Sequence, residues 1–197
     1  MNIAGLNKRI SILSLSQTDM IFMWEKNTDI WANVEQLSGS NLFSRVGIGA
    51  KSIKFTIRKR NGLTLNNAFS WQGKHCFLTD IKAIDRAYYE VSAALIEPRI
   101  CKIERTQKPK RNELNRPIYG GPTTISFPGC LTEKYMGHTQ NEPMATKEMR
   151  YVLVTPKIIE LECGELVTIG DIAYNVLISH ALDEYKNEYE ITVKEDI

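Results

Sequence analysis

Apolar and polar residues alternate with a period of two along most of this chain, and many of the apolar positions are β-branched or aromatic. That is the pattern of strands with one buried face. Ile53-Lys54-Phe55-Thr56-Ile57-Arg58 shows it, and Met149-Arg150-Tyr151-Val152-Leu153-Val154 repeats it. The same reading predicts strands over 8–14, 30–36, 67–71, 75–81 and 87–95, then over 123–127, 130–136, 158–162, 164–168, 172–178 and 188–194. Helical signals are confined to a turn or two at 40–46, with Ser38 or Ser40 as cap. Between the two groups of strands, Cys101 to Pro122 holds three prolines and the Gly120-Gly121 pair with almost no apolar periodicity, and it reads as a connector. The expectation is an all-β chain with little helix, built as two small β-barrel domains in tandem: residues 1–99, a basic Pro/Gly linker at 100–122, and residues 123–197.

The two halves resemble each other. Lys51 to Phe55 lies 96 positions before Lys147 to Tyr151, and Gly73 lies 97 before Gly170. Asp85 lies 98 before Asp183, and Tyr89-Glu90-Val91 lies 100 before Tyr189-Glu190-Ile191. An offset that drifts in order is what small insertions in turns produce within a shared strand order. A tandem duplication is therefore expected.

At 197 residues, 43% hydrophobic and 24% charged, the chain has the composition of a soluble globular protein. No apolar run approaches the roughly 20 residues that span a bilayer, and Met1 to Arg9 lacks the order of a signal peptide, so synthesis in the cytoplasm and no membrane partner are expected. Cys76, Cys101, Cys130 and Cys163 form no C-x-x-C pair, which points to reduced thiols rather than a metal module or a disulfide scaffold. Charge is uneven: residues 1–99 sum to +5, 100–119 to +4 and 120–197 to −7. Such asymmetry suits head-to-tail contact between copies, or two different neighbours, better than a uniform polyanion-binding surface.

Signals for catalysis are weak. His75, His138 and His180 stand apart, with no carboxylate at ligand spacing. Gly47-Ile48-Gly49-Ala50-Lys51-Ser52 glances at a phosphate loop, but Ala50 stands where glycine is required before Lys-Ser. There is no nucleophile elbow and no paired-carboxylate motif. The expectation is no enzyme, no cofactor, no metal and no catalytic residue. Lys54, Arg58 and Arg60 project from one strand with Trp71 and Phe77 near in sequence, which is one way a nucleic-acid-binding barrel displays charge and stacking rings. Phe55, however, alternates with the basic residues and so faces inward. Two long connections stand out as interaction loops. The first is Ser38-Gly39-Ser40-Asn41-Leu42-Phe43-Ser44-Arg45-Val46-Gly47-Ile48-Gly49-Ala50. Its counterpart is Gly137-His138-Thr139-Gln140-Asn141-Glu142-Pro143-Met144-Ala145-Thr146.

Six fragments, in order over residues 5–98, resemble the head-tail adaptor family of tailed bacteriophages, also called head-closure, head-completion or stopper proteins. Leu6 to Ile12 resembles the opening strand. Ile30-Trp31-Ala32-Asn33-Val34-Glu35 and Leu37-Ser38-Gly39 resemble the Trp-Ala-x-Val strand and the Ser-Gly loop that follows it. Phe55-Thr56-Ile57-Arg58 resembles the central strand ending in arginine, and Trp71-Gln72-Gly73-Lys74 with Leu78-Thr79-Asp80-Ile81 resembles the closing hairpin. Cys76 departs from the usual aromatic, and the second half exceeds a typical single-domain member. The resemblance implies a homo-oligomeric ring at the virion neck, with a portal or adaptor above and a tail terminator or tail tube below. Packaged double-stranded DNA would pass through the channel without sequence reading, with the first loop closing the channel or meeting a partner. The second loop would form a further interface, and Lys54, Arg58 and Arg60 would pair with a neighbouring subunit. A single-stranded nucleic-acid-binding barrel and a tail-terminator ring are the alternatives.

Overall fold

The computed structural model describes residues 5–41, 50–106, 110–111, 114, 116–118, 120–134, 150–181 and 183–194. Fourteen strands occur among them: β1 (Lys8–Thr18), β2 (Ile21–Asn41), β3 (Ala50–Arg58), β4 (Asn67–Trp71), β5 (Lys74–Ala83), β6 (Tyr88–Leu95), β7 (Arg99–Thr106), β8 (Lys110–Arg111), β9 (Pro117–Ile118), β10 (Pro122–Glu133), β11 (Arg150–Pro156), β12 (Leu166–Ile169), β13 (Ile172–His180) and β14 (Lys186–Val193). No α-helix occurs among the described residues. The all-β expectation is met.

Twelve strands form one sheet that closes on itself twice. The first circuit runs β1-β4-β5-β6-β3-β2 and returns through the β1–β2 pair. The second runs β7-β12-β13-β14-β11-β10 and returns through the β10–β7 pair. Taken in chain order, the six strands of each ring are joined in the same sequence. The registers agree as well: Phe55 faces Val91 in the first ring, and Tyr151 faces Ile191 in the second. Those two pairs carry the offsets of 96 and 100 seen in the sequence. Each ring also turns between its fourth and fifth strands through two residues, Gln72-Gly73 and Gly170-Asp171. Gln72 and Gly73 have φ of 52° and 74°, the left-handed pair that a tight hairpin needs.

Each ring holds its own core. Ile10, Ile12, Ile53, Phe55, Ile57, Phe69 and Leu78 fill the first, with Phe55 and Phe69 edge to face at 5.3 Å. Cys101, Ile103, Phe127, Leu153, Val167, Tyr189 and Ile191 fill the second. These are the inward positions of the alternation, and their burial is what drives closure.

Three structural features differ from the sequence reading. The segment opening at Arg99 is not linker but strand β7, paired with both β10 and β12, with Cys101 and Ile103 buried. Cys101, Ile103 and Arg105 alternate inward, a short signal outweighed by the prolines downstream. The covalent step between the rings is only Ile96-Glu97-Pro98, and the described residues between β7 and β10 form the small β8–β9 ladder. Second, 123–127 and 130–136 form one strand as far as Glu133, because Pro128 and Gly129 continue the pairing with β7. Third, residues 158–162 alternate yet form no strand. Side chains and local turns bond their backbone instead of a neighbouring strand: Tyr189 Oη donates to the Ile159 carbonyl at 3.0 Å and accepts from Leu161 N–H at 3.0 Å, Asn187 Nδ2 donates to the same carbonyl at 2.8 Å, and Ile159 N–H donates to the Pro156 carbonyl at 3.0 Å. The helical turn expected at 40–46 begins in β2, and its residues 42–46 lie outside the described residues.

The rings lie side by side on a third apolar cluster. Phe77 and Ala94 of the first ring meet Cys130, Val152 and Val154 of the second, with Trp24, Ile96 and Tyr185 around them. The β1–β2 hairpin reaches across as well: Ser126 N–H donates to the Met20 carbonyl at 2.9 Å, and Phe22 packs against the second core.

Candidate interaction surfaces

Ring closure gives each of the twelve strands a partner on both sides, so side chains make up most of the surface that the rings offer a neighbour. Two exposed surfaces of unlike character are available.

The first is a cleft of about 540 Å³ on the first ring, lined by Leu6, Ile30, Trp31, Arg58, Lys59 and Arg60. Ile30 and Ala32 turn inward on β2, so Trp31 between them is forced outward and is 59% exposed. Arg58 ends β3 and Arg60 follows in the turn, while Lys59 Nζ lies 5.3 Å from the centroid of the Tyr89 ring. Among the described residues no acidic side chain lines the cleft, and Arg58 and Arg60 form no ion pair with a described residue. Nearby Arg9, by contrast, is matched by Asp29 at 2.7 Å. Hydrogen bonds from Ser11, Lys26 and Arg9 hold that carboxyl down at about 2. The result is a cationic recess with an aromatic wall, suited to an anionic group that carries apolar surface.

The second surface is the stretch at 158–162 on the other ring. Ile159 and Leu161 are buried, which turns Ile158, Glu160 and Glu162 outward, and Ile158 is 62% exposed. Arg105 clamps this stretch from beneath: Nη2 donates to the Glu160 carbonyl at 2.7 Å and Nε to Glu165 Oε1 at 2.6 Å. Glu165 also accepts from Glu162 N–H at 2.8 Å. Burial pushes its carboxyl up, but Arg105 and the Glu162 N–H outweigh that and hold it below the ordinary range. Glu160 and Glu162 make no ion pair with a described residue. Trp31 was missed as a surface residue, although its position out of phase with Ile30, Ala32 and Val34 on a predicted strand was the signal that could have found it. The acidic stretch was hidden by its resemblance to a strand.

The residues expected to act are distributed as follows. Ser38, Gly39, Ser40 and Asn41 end β2 and Ala50 opens β3, while Leu42, Phe43, Ser44, Arg45, Val46, Gly47, Ile48 and Gly49 lie outside the described residues. Gly137 to Thr146 lie outside them entirely. Lys54 pairs within the chain, its Nζ 3.2 Å from Glu90 Oε1 on β6. Arg58 and Arg60 join the cleft. Cys76 and Cys101 are buried and their thiols pushed up to about 12, and burial raises Cys130 further still; Cys163 is exposed.

His75 and His180 serve packing and charge balance. His75 is 7% exposed on the outer face of β5, 5.4 Å from the Trp24 ring, and burial pulls its imidazole down to about 4. His180 Nε2 lies 3.3 Å from Glu190, a carboxylate that also receives Lys134. Burial opposes ionisation of Glu190, but Lys134 and His180 prevail and keep it below the usual carboxylate range, which makes it a poor base. Among the described residues no group of three or more His, Cys, Asp and Glu is placed to hold a metal ion, and no helix is long and apolar enough to cross a membrane.

Comparison with known proteins finds no match, whether among family models, curated proteins or solved structures.

Proposed function

We propose that this chain is a structural protein of a tailed phage or prophage that forms a ring at the head-tail neck, joins the portal or its adaptor to the tail, and helps retain packaged DNA. The observation that carries this reading is the pair of closed six-strand rings of one strand order, fused on a shared apolar interface. A ring of subunits needs two different surfaces on each copy, related by a rotation that closes. The basic cleft and the acidic stretch are two such surfaces. In this reading the loop from Ser38 to Ala50 reaches the channel or the next ring, and DNA is held by blocked passage without base contacts. Removing the gene from its phage is the test. Filled heads that lose DNA and fail to join tails are expected; tailed, infectious particles would overturn the proposal.

The cleft also favours a second reading, a single-stranded nucleic-acid-binding protein, because Trp31 beside three cations is a stacking platform with phosphate partners. That reading requires affinity for oligonucleotides that falls steeply with salt.

A further inference from the structure

We infer that the Trp31 cleft of one copy receives the Ile158–Glu162 stretch of a second copy. Copies meeting in this way presuppose the ring-forming reading above, and the inference deepens it by naming the contact. The cleft offers an apolar wall, Trp31 and Ile30, flanked by Arg58 and Arg60 with no carboxylate among its described lining residues. The stretch offers an exposed apolar side chain, Ile158, followed at alternate positions by Glu160 and Glu162. The stretch is held in shape before any partner arrives, because Tyr189, Asn187 and Arg105 bond its backbone, so little conformational entropy is lost on docking. The match is heterologous: the cleft belongs to the first ring and the stretch to the second, so each copy keeps one of each and the contact repeats from copy to copy.

Charge reversal with complementation tests this. One variant carries Arg58→Glu and Arg60→Glu, the other Glu160→Lys and Glu162→Lys; all four positions lie outside both cores. Mass photometry of the purified full chain is expected to show assemblies larger than a monomer, and each variant alone is expected to lose them. An equimolar mixture is expected to regain them, since every contact in an alternating array is then between opposite charges. Mixing without recovery, or variants that assemble as the unmodified chain does, would overturn the inference while leaving the neck reading to the gene-deletion test. A chain that stays monomeric while its tryptophan fluorescence is quenched by a poly-dT oligonucleotide, with quenching lost in Trp31→Phe and in the Arg58/Arg60 variant, would also overturn it and assign the cleft to nucleic acid.

Proximity supplies an independent readout. Cys163 is exposed beside Glu162, and the other three cysteines are buried. Asn61→Cys, next to Arg60, places a thiol at the cleft and leaves its charges intact. Mild oxidation is expected to give a ladder of disulfide-linked chains that Cys163→Ser abolishes. A ladder that survives Cys163→Ser, or no ladder at all, contradicts the contact.

Discussion

His75 makes the body of this protein sensitive to mild acid, and the size of the effect follows from its burial. The side chain sits on the outer face of β5, beside Trp24 of the β1–β2 hairpin, two positions before Phe77 of the inter-ring cluster. Its Nε2 is buried with no hydrogen-bond partner among the described residues, and burial lowers its pKa from 6.5 to about 4. Between those two values the unfolded chain binds a proton that the folded chain refuses. Stability is therefore complete above pH 6.5 and falls as the pH drops towards 4. Each pH unit in that window removes about 1.4 kcal/mol, so pH 5 costs about 2 kcal/mol and pH 4 about 3 kcal/mol. Glu165 and Glu190, held below their ordinary value of 4.5, lose their contribution only at lower pH than His75 does. Urea denaturation at pH 7, 6 and 5, for the natural chain and for His75→Phe, measures the difference. The natural chain is expected to lose about 2 kcal/mol between pH 7 and 5, and the variant much less. Parallel losses in the two would refute the assignment.

Other substitutions test the packing and the surfaces. A Cβ at Gly129 would stand 2.7 Å from Leu153 Cδ1 and 2.8 Å from Cys101 Sγ in the second core, so Gly129→Ala is expected to cost roughly 1–3 kcal/mol by chemical denaturation. Tyr189→Phe removes the hydroxyl that serves both Ile159 and Leu161 and strands a buried N–H. A loss of about 1–3 kcal/mol is expected, along with weaker self-association as the acidic stretch loosens. Phe55→Ala, in a fully buried position, is expected to cost roughly 3–5 kcal/mol. Lys54→Gln breaks only a half-buried pair with Glu90; a change within about 1 kcal/mol and unaltered assembly are expected, in contrast to Arg58 and Arg60.

The fold class and much of the internal repeat were legible because two-residue alternation records which side chains face inward, and Phe55, Val91, Tyr151 and Ile191 do so in matched registers. The boundary between the rings was not. Cys101, Ile103 and Arg105 carry only three inward positions before Pro109, and composition outweighed them, although their pairing with β10 and β12 is what completes the second ring. The stretch at 158–162 failed for another reason. Alternation reports burial, not hydrogen-bond partners, and here side chains of β14 take the place of a neighbouring strand. The cleft was half visible: Arg58 and Arg60 stood out by charge, but that Leu6 and Trp31 join them depends on β1 and β3 both pairing with β2, which no local pattern encodes.

Electron cryomicroscopy of phage particles assembled with this chain decides the central claim most directly. The account predicts a ring of copies at the junction of head and tail, with the two fused strand rings of each subunit fitting the density and the 158–162 turn of one seated against Trp31 of the next. A neck built without this chain, with the protein absent or placed elsewhere in the particle, would contradict it.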